Sequence, residues 1–458
     1  MPWLPLVGLL LATATTTATT TSTPAKHETS AERLHRKGVH CMEVIERTEC
    51  AIDNFEALLD EDTIQRELLT DGMLRLMTLY RREGRQDDIG PLLRRFWDVG
   101  RGRKNRGHLP YSARFVPSEL NVLINIDPPR VTESALLERQ GPDLRDYLFT
   151  CDEVRRNDIQ MKQRWRRAAR IAADTNRETW EVFYEGLDEE AAKKAEYEAK
   201  RKAKPKAKPD PDADLPPLMV AASCPLVEAL GQRDSSAWLR MTNAAHHRER
   251  GKTAALFQLD DLETHLAAAV EAGRLVETGP GRWSLPGFDY GGRTMVIGSL
   301  DMDELVVAPL PIFEQMQQAR LKRKRTMNRE LDRLVGKVPR DTGVFMVLNQ
   351  AALRELGFGS MQRRSTRGFF EALLPRPKGL QVAAIVGDSI GLFTRVPTDS
   401  AVRGRMLVSL ANTMLARSDD PDAAKWVEGL DVAEAADRKA LLASYVVTGA
   451  RLEEILWD

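Results

Sequence analysis

Histidine is scarce and ends early: there are seven in 458 residues, and the last is His265. Any chemistry placed after it must do without imidazole. Cysteine is scarcer, with Cys41, Cys50, Cys151 and Cys224 only, and no two of them stand at C-x-x-C spacing. A structural zinc site therefore lacks the thiolate pair it usually starts from. Neither sign of charge is in excess, because Lys+Arg and Asp+Glu are 67 each and the formal net charge is zero. That balance argues against a chain that coats nucleic acid along its whole length, while leaving local basic patches open. After the N-terminus no apolar run approaches the roughly 18 residues that span a bilayer, so no transmembrane span is expected in the mature chain.

What is there is ordinary for a globular protein, with 42% hydrophobic and 29% charged residues. The length suits two or three domains. Residues 3–12 read WLPLVGLLLA, a run of signal-peptide length, and Ala12-Thr13-Ala14 supplies the small-x-small pattern of a cleavage site. The expectation is export, with residues 1–14 as signal peptide and residues 15–30 as a Thr-rich spacer, although the start carries no Lys or Arg. Four cysteines suit an oxidising compartment but allow three pairings. On one unbroken helix, Cys41 and Cys50 would sit about 13 Å apart, beyond the roughly 7 Å a disulfide tolerates. Pairing them requires a break near Arg47-Thr48, and four reduced thiols are the alternative.

Residues 31–104 read as helices. Leu76, Met77, Leu79 and Tyr80, then Ile89, Leu92, Leu93, Phe96 and Trp97, follow the 3.6-residue period of two amphipathic helices. Gly84 suits a left-handed helix end, and Asp87-Asp88 suit the next helix start. Residues 110–187 form the first part of an α+β body with a helical extension. Residues 121–126 (NVLINI) are its first credible strand, and helices are expected over 134–149 and 158–184. Residues 188–217 change composition to alternating charge and then Lys-Pro and Asp-Pro repeats, which cannot offset their ordering entropy. They are expected to be a frayed helix running into a charged, Pro-rich linker. In the body 218–458, strands are expected at 218–222, 237–241, 253–259, 294–298, 343–348, beside Gly387-Asp388, and at 441–448. A hairpin is expected at 274–285, one long helix over 302–335, and an amphipathic helix over 399–416. Residues 253–299 and 343–448 share a strand, helix, hairpin order, suggesting two diverged lobes. Sequential hairpins predict an α+β fold with an antiparallel sheet and helices on one face.

The set Leu76, Tyr80, Gly84, Leu93 and Phe96 resembles a tetratricopeptide helix pair. It departs from that pattern at Ile89, where the family carries a small Ala. The resemblance covers one hairpin, with residues 41–59 as a degenerate partner, and a plain helical bundle fits the same residues. Residues 115–458 are similar to exported bacterial proteins of unknown function, on the segments VPSELNVLINIDPPRV (116–131), RTMVIGSLD (293–301) and VPRDTGVFMV (338–347). That similarity implies no activity.

Gly387-Asp388-Ser389-Ile390-Gly391 matches a G-x-S-x-G nucleophile elbow. The elbow needs a later His as base and a following helix. Here no His follows, and the flanks LQVAAIV and GLFTRV read as two strands, so a hairpin turn is expected, with Gly387 or Gly391 at positive φ. Gly251-Lys252-Thr253 resembles the end of a phosphate loop, but His246 stands where that loop needs Gly, and a strand follows. His246 and His247 are adjacent and point to different faces, so they read as surface histidines. Basic runs stand at 162–170, 200–208 and 320–325 (RLKRKR). The bland reading is solvated helix faces with Lys and Arg stems covering apolar surface. The sharper reading is contact with phosphate or an anionic surface.

No catalytic, cofactor-binding or metal-ligating residue is nominated, and the lack of a complete catalytic set favours a non-enzyme. The leading expectation is an exported binding or scaffolding protein of the cell envelope, meeting another protein through its helical region. One alternative is an enzyme with a site assembled from dispersed residues. The other is a binder of an anionic polymer or nucleic acid through basic helices, with nucleic acid disfavoured by export.

Overall fold

The structure is a computed structural model. It describes residues 29–61, 66–98, 109–134, 136–137, 142–203, 215–249, 251–339, 342–358, 377–387, 389–416 and 429–447. The expected signal peptide and spacer up to residue 28, and the Lys-Pro/Asp-Pro stretch at 204–214, lie outside the described residues.

VLINI at Val122–Ile126 is β1, and its apolar alternation around Asn125 suits a strand buried on both faces. It runs antiparallel to β2 (Arg240–Ala245) on one side and to β8 (Val344–Asn349) on the other. The other strands are β3 (Thr253–Gln258), β4 (Val276–Gly279), β5 (Arg282–Ser284), β6 (Met295–Asp301), β7 (Glu304–Pro309), β9 (Gly379–Val386), β10 (Ile390–Pro397), β11 (Leu430–Glu434) and β12 (Ala440–Val447). All twelve form one sheet in the order β11-β12-β10-β9-β8-β1-β2-β3-β7-β6-β5-β4. Outward from the central β1–β8 pair, β1-β2-β3-β7-β6 and β8-β9-β10-β12-β11 repeat one connectivity. The chain is thus two lobes, 122–309 and 344–447, and the first lobe adds the β4–β5 hairpin at its edge. The shared connectivity has other limits than the units expected at 253–299 and 343–448, because β1 and β2 belong to the first half of the sheet.

Both sheet faces are covered, not one. One face carries Leu123, Val347, Ala383 and Phe393 of the second lobe and its junction, and Ala244, Leu256 and Val306 of the first. Four N-terminal helices, α1 (Ser30–Glu43), α2 (Thr48–Asp60), α3 (Arg66–Arg82) and α4 (Ile89–Asp98), cover the second lobe. Their apolar stripes bury Phe55, Leu76, Leu93 and Phe96 in one core with that lobe. Gly84, at φ 69°, ends α3 as expected. The other face carries Ile124, Met241, Phe257, Leu305 and Met346. After α5 (Pro128–Thr132), that face is covered by α6 (Pro142–Phe149), α9 (Leu218–Ala229) and α10 (Leu262–Glu271).

Between α6 and α9 the chain leaves the body as a hairpin of two long helices, α7 (Glu153–Thr175) and α8 (Thr179–Ala203). Asn176 in the left-handed region makes the break. Helix continues to Ala203, within the segment expected to be a frayed helix running into a linker. Cys151 and Cys224 are joined at the root of this hairpin, with Cα atoms 5.3 Å apart. Cys41 and Cys50 are joined as well, with Cα atoms 5.7 Å apart. Their pairing works because α1 stops at Glu43 and α2 starts at Thr48, the break that the spacing demanded.

Three other expectations need correction. Residues 218–222 are the first turn of α9, not a strand. The helix is apolar around most of its circumference because it is buried, so no period separated it from a strand. Residues 237–241 hold only the start of a strand, since Ser235–Ala237 is a 3-10 turn. Residues 302–335 are not one helix but β7, then α11 (Leu310–Leu321) and α12 (Arg329–Val335). Pro309 starts α11, and Arg323 at φ 50° follows its end. The last two helices are α13 (Gln350–Leu353) and α14 (Ala401–Ala416). Among the described residues no helix is long and apolar enough to cross a membrane.

Candidate anion-binding site

The segment between α11 and α12 is pinned to the turn at 111–115. The Thr326 and Met327 amides donate to the Arg114 carbonyl at 3.0 and 3.3 Å, and the Thr326 hydroxyl donates to the Phe115 carbonyl at 2.6 Å. Asn328 then caps α12, its Oδ1 accepting from the amides of Glu330 and Leu331 at 2.9 and 3.3 Å. Cap and tether fix the rotation of α12 about its axis. Leu331, Leu334 and Val335 go into the core, so Arg329 and Arg333, one turn apart, face outward.

This arrangement frames a cleft of about 430 Å³ lined by Arg114, Arg325, Arg329, Arg333 and Lys337, with Asp332 the one carboxylate among the described lining residues. Arg325, Arg329, Arg333 and Lys337 recur at every fourth position and all are exposed. Among the described residues Arg325, Arg329 and Arg333 have no ion-pair partner. Arg114 is half-buried and lies over the Tyr111 ring at 4.9 Å. Like charges this close repel one another, and an anion between them relieves that repulsion. The run at 320–325 contributes only its last residue to the cleft. The basic-run reading missed Arg329, Arg333 and Lys337 because they are not contiguous, although their four-residue spacing is visible in the sequence.

The other nominated motifs fall elsewhere. β9 and β10 pair directly around residues 387–389, so the G-x-S-x-G match is a hairpin turn as expected. Asp388 lies outside the described residues. Neither Gly387 nor Gly391 has positive φ, which corrects the expected reason for glycine there. The reason is contact with α3: a Cβ on Gly391 would come within 2.3 Å of Leu74, and one on Gly387 within 3.0 Å of Asp71 Oδ1. Under that turn Asp71 binds His35 Nε2 at 2.7 Å and accepts from Arg75 Nε at 2.8 Å, and Arg75 Nη1 reaches Glu43 at 2.8 Å. Burial pushes the Asp71 carboxyl upward, but the His35 hydrogen bond and the Arg75 charge outweigh it and hold the group below its ordinary value. This is a clamp between helices: no described hydrogen bond links Ser389 to His35.

His246 and His247 also serve structure. His246 Nδ1 accepts from the amides of Arg248 and Glu249 at 3.3 and 3.2 Å, and the His247 amide donates to Asn121 at 2.9 Å. Both are half-buried, not surface residues. Lys252 pairs with Glu249 at 2.8 Å, and Thr253 opens β3. Among the described residues no group of three or more His, Cys, Asp or Glu side chains is placed to hold a metal. A second cleft, of about 610 Å³, lies beside the Cys151–Cys224 bridge. It mixes Met219 and Met241 with Glu153, Arg156 and Glu228.

No protein-family model and no curated protein matches the chain. A solved structure described as crystal form I of TP0453 is similar at a TM-score of 0.31 and 6% identity, over 77% of this chain and 98% of that one. A likeness at that level carries no argument about fold or activity.

Proposed function

We propose that the chain is a non-enzymatic binding protein of an oxidising, extracytoplasmic compartment, and that it holds a polyanionic ligand along the cleft beside α12. The observation that carries this reading is the row Arg325, Arg329, Arg333 and Lys337, joined by Arg114 and opposed, among the described lining residues, by Asp332 alone. Successive anionic groups of a linear polymer fit a row of cations better than one small anion does, because each contact is weak and the sum is not. Placing the ligand here rather than in the N-terminal helices is supported by the burial of Leu76, Leu93 and Phe96 against the sheet. Export is supported by the apolar run at 3–12, by the Ala12-Thr13-Ala14 pattern and by two disulfides, which persist outside reducing compartments.

Calorimetric titration with inorganic polyphosphate tests the site. Wild type should bind, and R329Q/R333Q should bind at least about tenfold more weakly, the loss of some 1.4 kcal/mol that two exposed phosphate contacts represent. Both positions are exposed, so the double variant should melt as wild type does. Equal affinity in the two proteins would reject the cleft.

A further inference from the structure

The α7–α8 hairpin carries more exposed aromatic surface than a solvated arm needs. Trp165 is 46% exposed, Trp180 54% and Tyr184 59%, whereas Trp97 and Trp238 of the body are buried. The exposed rings are contiguous across the two helices: Trp165 meets Phe183 edge-on at 5.2 Å, and Phe183 meets Tyr184 at 5.5 Å. Trp180 lies one turn before Tyr184, on the same side of α8. The body braces a different side of α7, through α6, where Asp143 accepts from Arg166 at 2.9 Å and Asp146 pairs with Arg155. A contiguous patch of this kind marks an interaction surface.

Charge along the hairpin selects the occupant. Residues 155–170 of α7 hold seven cations (Arg155, Arg156, Lys162, Arg164, Arg166, Arg167 and Arg170) and one carboxylate, Asp158. Residues 178–189 hold five carboxylates (Glu178, Glu181, Glu185, Asp188 and Glu189) and no cation. Most of these charges already have partners within the chain, Glu185 with Arg177 at 2.7 Å, Lys162 with Asp158 at 2.7 Å and Arg166 with Asp143 at 2.9 Å among them. Residues 190–203 of α8 are mixed, with five cations (Lys193, Lys194, Lys200, Arg201 and Lys202) and three carboxylates (Glu190, Glu196 and Glu198), so the segregation lies between residues 155–170 and residues 178–189. An anionic membrane would be repelled by the carboxylates that flank Trp180 and Tyr184. A second copy of the same hairpin can set residues 155–170 of each copy against residues 178–189 of the other, and is complementary at both contacts.

We propose that two copies of this chain associate through their α7–α8 hairpins. They would form an antiparallel, two-fold four-helix bundle that sets α7 of one copy against α8 of the other and encloses the aromatic patch. The 23 residues of α7 make it about 35 Å long, and two packed helices present a face about 20 Å wide. The product, about 700 Å² a side, is close to the roughly 800 Å² of a standard-size interface. The pairing is independent of the anion cleft, which lies in the body.

Sedimentation equilibrium of the full chain tests it. Wild type at low salt should show twice the monomer mass at concentrations of about 10–100 μM, the range of a micromolar dimer. Raising salt to about 0.5 M should shift it toward monomer as charge is screened. W165S/W180S/Y184S should halve the mass at low salt while keeping the wild-type unfolding temperature. A monomeric wild type throughout, or a dimer that survives the triple substitution, overturns the pairing. So does a monomer that co-sediments with anionic phosphatidylserine vesicles, since that assigns the patch to a membrane.

Discussion

Phe96 of α4 stacks on Phe393 of β10, with ring centroids 4.0 Å apart and planes 22° from parallel. Both rings are buried, and the contact seats the helical region on the second lobe. Phe96→Ala should cost about 3–5 kcal/mol, the usual penalty for emptying an aromatic site in a core. Chemical denaturation of F96A, F393A and the double variant checks this. The double variant should lose less than the sum of the two, because the rings share one contact.

Glu304 opens β7 and is 4% exposed. Its carboxylate accepts from the amide of Tyr111 and, at 2.7 Å, from that of Ser112. It therefore holds the turn from which Arg114 enters the cleft. Glu304→Ala strands two amides and should destabilise by about 3 kcal/mol, with Gln at this position retaining part of the loss. Urea unfolding of the three proteins would contradict this if the Ala variant matched wild type.

Asp71 predicts an acid limit to stability. Its folded-state pKa lies below the ordinary 3.8, so its contribution is fully present above about pH 4 and is lost as pH falls through the depressed value. Asp71→Asn leaves Arg75 short of one partner and should cost about 3 kcal/mol at neutral pH, the lower end for breaking a buried pair. Melting temperatures of wild type and variant should converge below about pH 4. A gap that stays constant as pH falls well below 4 would contradict the clamp.

Much of the fold was legible where one physical signal dominated. β1 was visible as VLINI, and the α3–α4 break was visible at Gly84. Reach tied a Cys41–Cys50 bridge to a helix break between them, but it left open whether the two were bridged at all. α9 was not legible, since LMVAASCPLVEA is apolar around most of its circumference and shows no clear period. The join of β7 to α11 was missed because Pro309 separates them without a loop. The lobe repeat was placed wrongly because its axis runs between Ile124 and Met346, which face each other across the sheet but stand far apart in the chain. The basic cleft was half visible: the run at 320–325 stood out, while Arg329 and Arg333 drew attention only once α12 was known to bury Leu331 and Val335.

Ser389 sits in the β9–β10 turn with no described hydrogen bond from its hydroxyl to a base. A serine without a proton acceptor is a weak nucleophile. Ser389→Ala should change stability by less than about 0.5 kcal/mol. Fluorophosphonate labelling of wild type that disappears in Ser389→Ala would contradict the non-enzymatic reading.

The central claim, that cations beside α12 bind a polyanion, is tested most directly by the salt dependence of polyphosphate affinity. Association constants for wild type and R329Q/R333Q should be measured from about 50 to 200 mM salt and plotted on logarithmic axes, where each phosphate neutralised contributes nearly one unit of slope. Wild type should show a slope of about −3 to −4, as expected for the row Arg325, Arg329, Arg333 and Lys337, and the double variant should be shallower by about two. Equal slopes in the two proteins would contradict the account.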